Sequence, residues 1–555
     1  MDKPAPHRTD GAGLATRVHY LCLPIAFVGL LWFTRDQYFS EDDWEFIHRL
    51  IPGVGHLGLF APHNEHWSTL PLLVYRVLLS LAGVRTYLPY MAVLLALHVL
   101  IAHLLWRLMR GAGAEAWVAT AVSALFLVLG TGADNISWAF QIGWVGALAP
   151  GLGMVLLALR RSRRRLAAAW LLGVVSLMCS GLGPIMVAIA GLTALTRVGM
   201  RWAVVLVSVP AVVYSGWLIA FGLRAPRSSL PRGSLAAIPD YVFTGITSAA
   251  AAITGLRAAG ALLLIPLAWW LVRRARRRGE DAAVVSMAVG ALLFFLVIGL
   301  GRVGLGARES TSARYVYVAA VLLLPAAAVA LSRLTRRHVV AAAAIALALA
   351  WSAVHNIRAL NLIVQASAVV RDHAEARIIV ASHLVDTTAT TFGGPPEPRT
   401  APDLTWPDLV YLVHMHDLPL AGPIPPDGED VVTVAANLQM TWSAAPLLPT
   451  GATSIRAVGS ETLAPVASGC VAVTESTPVV LLDFTRAASV VIRAPAGTAI
   501  TVSLRLTPSA RSESPAQHVA TGASGTISLS VSLAGAAAVV DVPPSGAVFC
   551  GVAAT

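Results

Sequence analysis

The chain has 555 residues, of which 56% are hydrophobic and 12% charged, whereas an average soluble protein carries about 25% charged residues. The net charge of +11 is gathered into short arginine clusters between apolar runs, at 160–165, 273–278 and 333–338, and not spread over one solvated face. This argues against nucleic-acid binding and against a soluble globular fold; it is the pattern of cytoplasmic loops between membrane spans. Lys3 is the sole lysine and alanine is abundant, which reads as GC-rich bacterial coding bias and carries no mechanism.

Taken in chain order, the first apolar run, 18–34, lacks a small-residue cleavage site and reads as a retained anchor. Placing each basic cluster on the cytoplasmic side predicts spans near 18–34, 87–107, 115–130, 142–159, 166–181, 183–197, 202–222, 256–272, 282–300, 315–332 and 339–356. That is about eleven, with the N-terminus inside and the C-terminus outside. The run 70–84 would turn every later cluster outward if it spanned, and it is only about 15 residues long, short for a crossing. It reads as a helix lying on the outer membrane surface. An external loop then covers 35–86. A second surface helix is expected at 239–254.

Beyond residue 356 the apolar runs shorten and Pro, Ser, Thr and Asp become frequent. Segments 479–484, 489–493 and 498–505 read as strands separated by turn residues. The expected organisation is a transmembrane module over 1–356, a mixed extracytoplasmic segment over 357–459 that begins with a helix, and a β-sandwich over 460–555. Cys470 and Cys550 are the only cysteines of this region, so in an oxidising compartment they form a disulfide or remain two buried thiols. Cys22 and Cys179 fall within spans and read as packing residues. The fold class is thus a polytopic α-helical membrane protein of about eleven transmembrane helices with a C-terminal extracytoplasmic domain containing a β-sandwich.

Four external segments concentrate polar chemistry. The first, directly after the opening span, contains Glu41, Asp42 and Asp43. Three adjacent carboxylates repel one another, which suits a general base or an oxygen ligand for a hard divalent cation. A surface helix with Ser40 as its N-cap and acids in its first turn is the alternative. The second is Pro62-His63-Asn64-Glu65-His66-Trp67, where polar and aromatic side chains together suit sugar recognition, while tryptophan also anchors ordinary membrane interfaces. A zinc site there would need a third ligand and different spacing. The third contains Asp134, Asn135 and Gln141, either a polar cap on a span or a substrate contact. The fourth contains Arg302, Arg308, Glu309, Arg314 and Tyr315. These arginines sit on the outer side, against the positive-inside trend, and a phosphate is their natural partner because guanidinium binds its oxygens bidentately. An ion pair with Glu309 is the alternative.

In order, these features resemble the GT-C superfamily of membrane glycosyltransferases, which use polyprenyl-phosphate-linked sugars on the outer membrane face. The resemblance covers residues 1–360 as architecture. It rests on the acidic motif Glu41-Asp42-Asp43 after the first span, the long external loop with surface helices, and the stretch from Leu70-Pro71-Leu72-Leu73-Val74-Tyr75-Arg76 to Leu81-Ala82-Gly83-Val84. It also rests on the late element Ser312-Ala313-Arg314-Tyr315-Val316-Tyr317 and a C-terminal extracytoplasmic domain. The stretch is similar to those of aminoarabinose and protein-mannose transferases, and terminal domains of this kind occur in cell-wall arabinofuranosyl- and mannosyltransferases. The sandwich resembles carbohydrate-binding modules only generically.

The resemblance implies an inverting transfer of a sugar from a polyprenyl-phosphate donor to a cell-envelope glycan, lipid or protein acceptor. Asp42 or Asp43 would be the base, with a slight preference for Asp42. Arg314, with Arg302 or Arg308, would hold the departing lipid phosphate. Asp134 would be a second acidic contact, and Glu41, His63, Glu65, His66, Trp67, Asn135, Gln141 and Tyr315 would complete the substrate contacts. A divalent metal such as Mg or Mn is used by some branches and not by others. Ser68-Thr69-Leu70-Pro71 stands where the aminoarabinose transferases have a lysine-proline-proline stretch, so that lysine's contact does not carry over. Two other readings are a lipid-linked sugar flippase or transporter, and a non-catalytic assembly or sugar-binding protein.

Overall fold

The computed structural model describes the whole chain except residues 1–8, 56–57, 226–233, 276–278, 280, 337, 384, 386–394, 420–427, 444–452, 459–462, 464, 475–478, 508, 511–512, 522 and 555. Three arginines of the second basic cluster, 276–278, thus lie outside the described residues. The chain divides into two units. One comprises Met1–Gln37, Leu57–Ala82 and Thr86–Val369, and the other Tyr38–His56, Gly83–Arg85 and Val370–Thr555. The acidic segment that follows the first helix therefore belongs to the same unit as the C-terminal part of the chain.

The first unit is helical. In the chain as a whole, eight of the described helices are long and apolar enough to cross a membrane, which makes this a polytopic α-helical membrane protein. Seven of them fall on expected spans. The spans expected at 115–130, 166–181 and 183–197 are the shorter helices Ala116–Leu127, Arg163–Leu177 and Leu182–Arg197. The span expected at 256–272 is interrupted, giving Ala258–Leu262 and Leu264–Ala275. Gly255, left-handed at φ 69, ends the helix before it, and Arg257 at φ 47 turns the chain into the next. The last expected span, 339–356, is the start of one helix of 44 residues, Val339–Ser382.

The eighth, Ile238–Thr254, falls on the expected surface helix. The Tyr241 ring lies against Gly299, one turn from the end of Ala282–Arg302. Twelve residues on, the Ile253 carbonyl accepts from Ser352 Oγ at 2.5 Å and Asn356 Nδ2 at 2.9 Å. Asn356 Oδ1 in turn accepts from Thr131 Oγ1 at 2.8 Å, and neighbouring Gly132 packs on Tyr317, one turn from the start of Ala313–Thr335. Ile238–Thr254 is therefore tied at its start to Ala282–Arg302 and at its end to Val339–Ser382.

The opposite end of this unit carries Asp281, which accepts from Arg274 at 2.9 Å and Arg333 at 3.4 Å. Residues 302–314 and 333 are separated by the full length of Ala313–Thr335. The basic clusters and the late arginines thus sit at opposite ends of the same helices, as the charge pattern predicts.

The second unit contains the helix Asp42–Leu50, the helices Trp406–His414 and Glu429–Gln439, and two sheets. The strands are β1 (Met440–Ser443), β2 (Thr453–Ala457), β3 (Pro465–Ala467), β4 (Cys470–Val473), β5 (Val479–Phe484), β6 (Ala488–Arg493), β7 (Ala499–Arg505), β8 (Gln517–Ala520), β9 (Thr526–Val531), β10 (Ala537–Asp541), β11 (Ala547–Cys550) and β12 (Ala553–Ala554). One sheet runs β1-β9-β6-β11-β4-β3 and the other β12-β2-β5-β10-β7-β8. Pairing is antiparallel except between β12 and β2. Alternate residues such as Val480, Leu482 and Phe484 of one sheet and Val490 and Ile492 of the other share one buried core, the arrangement of a β-sandwich. The strands expected at 479–484, 489–493 and 498–505 are β5, β6 and β7. The sheets begin earlier than residue 460, because β1 and β2 belong to them. Cys470 and Cys550 face each other across β4 and β11 and are disulfide-bonded.

Candidate active site

In the second unit, Asp42–Leu50 opens with Asp42, Asp43 and Glu45 in its first turn, at the positive end of the helix dipole, which favours negative charge. Ser40 is not its N-cap, contrary to the alternative reading. Glu41 holds that position at φ 52 and makes no side-chain cap bond, a backbone conformation that costs about 1 kcal/mol for a residue other than glycine. Asp43 does the capping from inside the helix, its Oδ2 accepting the Ser40 N–H at 3.0 Å. The Glu41 N–H donates to the Thr400 carbonyl at 2.5 Å. Further along the helix, His48 Nδ1 donates to Asp408 Oδ2 at 2.8 Å, and Asp408 also caps Trp406–His414 through Thr405. The helix is thereby fixed at both its start and its middle. Asp43 is 0% exposed, Asp42 is half-buried and Glu41 exposed. Asp43 has a structural role at the helix start, which leaves Asp42 as the more reachable of the two candidate bases.

In the first unit, the second polar segment forms a tight hairpin. His63 and His66 exchange both backbone hydrogen bonds, at 2.9 and 2.8 Å. The two residues between them are left-handed, Asn64 at φ 44 and Glu65 at φ 71, as a two-residue turn of this hand demands. Asparagine tolerates this conformation and glutamate does so at a cost. The His66 ring packs on Gly181, where an added Cβ would come within 2.7 Å of Nδ1. Burial, with the nearby His63 and Arg302, pushes the His66 imidazole down to about 4 against the pull of Glu65. His66 is therefore neutral near pH 7, and Arg302, 236 positions later in the chain, is its neighbour. The His63 ring lies 5.2 Å from that of Phe140. Trp67 is buried and stacks on Trp217 with ring centres 5.1 Å apart, while its N–H donates to Thr69 Oγ1 at 2.7 Å. Trp217 thus occupies the position on that face expected for a sugar.

The third segment joins the others through its aromatics. Phe140 meets His63, and Trp144 stacks on Tyr315 with ring centres 5.9 Å apart. Asp134 opens the helix Asp134–Ser137 and is half-buried. Asn135 and Gln141 are 0% and 1% exposed, and neither carboxamide has a hydrogen-bond partner among the described residues. Two unsatisfied buried amides so close in sequence are unusual, since such groups are nearly always paired.

The fourth segment carries the arginines between Ala282–Arg302 and Ala313–Thr335. Arg302 and Arg308 are exposed and Arg314 half-buried. Arg314 Nε donates to Ser312 Oγ at 3.2 Å, and its guanidinium lies 5.8 Å from the Tyr315 ring centre. Among the described residues none of the three forms an ion pair with a carboxylate, so the expected alternative of a Glu309 pair is not formed. Tyr241, from Ile238–Thr254, is a neighbour of Tyr315, Arg302 and Glu309. Sequence reasoning missed it, because a single tyrosine in an apolar helix reads as an interface anchor. The first unit therefore brings three of the four segments together, and the fourth candidate group, Glu41, Asp42 and Asp43, belongs to the second unit.

No family model matches the chain, and no curated protein matches it. Among solved structures, the chain is similar to ArnT from Cupriavidus metallidurans bound to undecaprenyl phosphate, with 13% identity and a TM-score of 0.46 over 76% of this chain and 92% of that one.

Proposed function

We propose that the protein is an inverting glycosyltransferase that moves a sugar from a polyprenyl-phosphate donor to a cell-envelope glycan, lipid or protein acceptor on the outer face of the membrane. The observation that supports this reading most is the group of three arginines without carboxylate partners among the described residues, gathered with buried tyrosines at the bundle end opposite the basic clusters. Unpaired guanidinium groups on that face call for an anion, and phosphate matches their geometry.

In this mechanism the acceptor hydroxyl oxygen attacks the anomeric carbon as Asp42 takes its proton. The bond from that carbon to the phosphate oxygen breaks, and its electron pair leaves on the lipid phosphate, inverting the anomeric centre. Arg314, with Arg302 and Arg308, stabilises the charge that grows on the phosphate. Asp134 and the carboxamides of Asn135 and Gln141 meet hydroxyl groups of the substrate. Asp42 and Glu45 are the oxygen donors that would hold a divalent cation such as Mg or Mn, whose contribution would be to neutralise phosphate charge. The assay is sugar transfer in membranes supplied with a lipid-linked donor. Asp42→Asn and Arg314→Ala are each expected to lower the rate at least about 100-fold. Wild-type rates in both would refute the mechanism.

A further inference from the structure

We propose that Tyr241 is a phosphate-binding residue, its phenol donating a hydrogen bond to the same anion that the late arginines hold. This rests on the reading of those arginines given above. The phenol is 0% exposed, and its hydroxyl has no hydrogen-bond partner among the described residues. A buried hydroxyl left unpaired is disfavoured, so its retention asks for an occupant. The groups around it say what that occupant is. Arg302, Glu309 and Tyr315 lie within electrostatic reach of Tyr241, and Arg314 within that of Tyr315. The Tyr241 and Tyr315 phenols lie within interaction reach of each other. Two phenols and two guanidinium groups are thus neighbours beside a single carboxylate, and an acceptor with several lone pairs is the group their donors would take. A phosphate has those lone pairs and the charge.

The packing of the helix explains how it delivers the hydroxyl. Tyr241 stands in the first turn of Ile238–Thr254 with its ring held against Gly299. An added Cβ at Gly299 would lie 3.2 Å from the Tyr241 ring, and one at Gly245 only 2.3 Å from Phe295. These two glycines let the helix settle close enough for the phenol to reach the arginine group.

The test uses the full chain in detergent, with farnesyl phosphate as the probe and farnesol as its uncharged control. Tyr241→Phe keeps the ring and removes the hydroxyl. Its affinity for farnesyl phosphate is expected to fall about tenfold, as for loss of a hydrogen bond to a charged group, with farnesol binding unchanged. Its melting temperature without ligand is expected to stay level or rise, because an unpaired buried group has been removed. A role in packing alone would move stability and leave phosphate affinity as it was. Unchanged farnesyl phosphate affinity in Tyr241→Phe, alongside a loss in Arg314→Ala, would overturn the assignment of Tyr241 and leave the arginine reading standing. No loss in Arg314→Ala would overturn the reading beneath it. Should Tyr241→Phe not fold, fluorotyrosine at position 241 makes a stronger donor and is expected to tighten farnesyl phosphate binding; unchanged or weaker binding would count against the proposal.

Discussion

The two ends of the helical unit use the same side chain in opposite ways. At one end Arg274 and Arg333 share Asp281, which is 7% exposed, and both guanidinium groups also lie over the Trp270 ring. At the other, Arg302, Arg308 and Arg314 stand around Glu309 and pair with no carboxylate among the described residues. The first arrangement closes three helix ends on one another and satisfies its charges internally. The second sets its positive charge beside Tyr241, whose hydroxyl has no hydrogen-bond partner among the described residues. The difference separates arginines paired with a carboxylate from arginines without one among the described residues, a distinction that charge counting cannot make.

Substitutions at the two ends should therefore fail in different assays. Arg314→Ala is expected to reduce sugar transfer at least about 100-fold while its melting temperature stays near wild type; a large drop in melting temperature would place it with the structural arginines. Asp281→Ala is expected to do the reverse. With its arginine partners about one-quarter and one-third exposed, their interaction with it is partly screened, and its loss should cost about 1–2 kcal/mol in thermal unfolding with transfer retained. The acidic helix of the second unit offers the same contrast between neighbours. Asp43→Ala removes the cap on Ser40 and should cost about 1 kcal/mol of stability, whereas Asp42→Asn should leave unfolding unchanged and remove activity.

The smallest expected effect is a pH dependence. The His66 imidazole titrates at about 4 in the folded chain and near 6.5 when unfolded. The unfolded chain thus binds the extra proton between these values, so the stability associated with a neutral His66 is present above pH 6.5 and declines as pH falls toward 4. His66→Gln should flatten that part of a melting-temperature profile; an unchanged slope would contradict the neutral assignment.

Hydropathy made most spans legible, and the arginine clusters are the argument for reading 70–84 and 239–254 as surface helices. That second assignment depended on charge topology, since Ile238–Thr254 is long and apolar enough to span. The break in 256–272 was less visible, because Gly255 and Arg257 act through backbone conformation within an otherwise apolar run. The sandwich was recognisable from β5, β6 and β7, where apolar residues dominate. Its first strands, β1 and β2, are four and five residues long and mix Thr, Ser, Trp and Arg, so their sheet membership is decided by pairing with β9 and β5. For the candidate site, residue chemistry singled out segments but not their packing partners. The approach of His66 to Arg302 and of Trp144 to Tyr315 arises from tertiary packing across long sequence separations. The division of labour between Asp42 and Asp43 depends on the strained backbone at Glu41, which no local pattern announces.

The most direct measurement compares farnesyl phosphate affinity in two double variants of the full chain, Arg302→Ala with Arg314→Ala at one end and Arg274→Ala with Arg333→Ala at the other. The first pair is expected to bind at least about tenfold more weakly than wild type, and the second to bind as wild type once folded. Equal affinity in both, or a loss confined to the Asp281 end, would contradict the assignment of the late arginines to a phosphate.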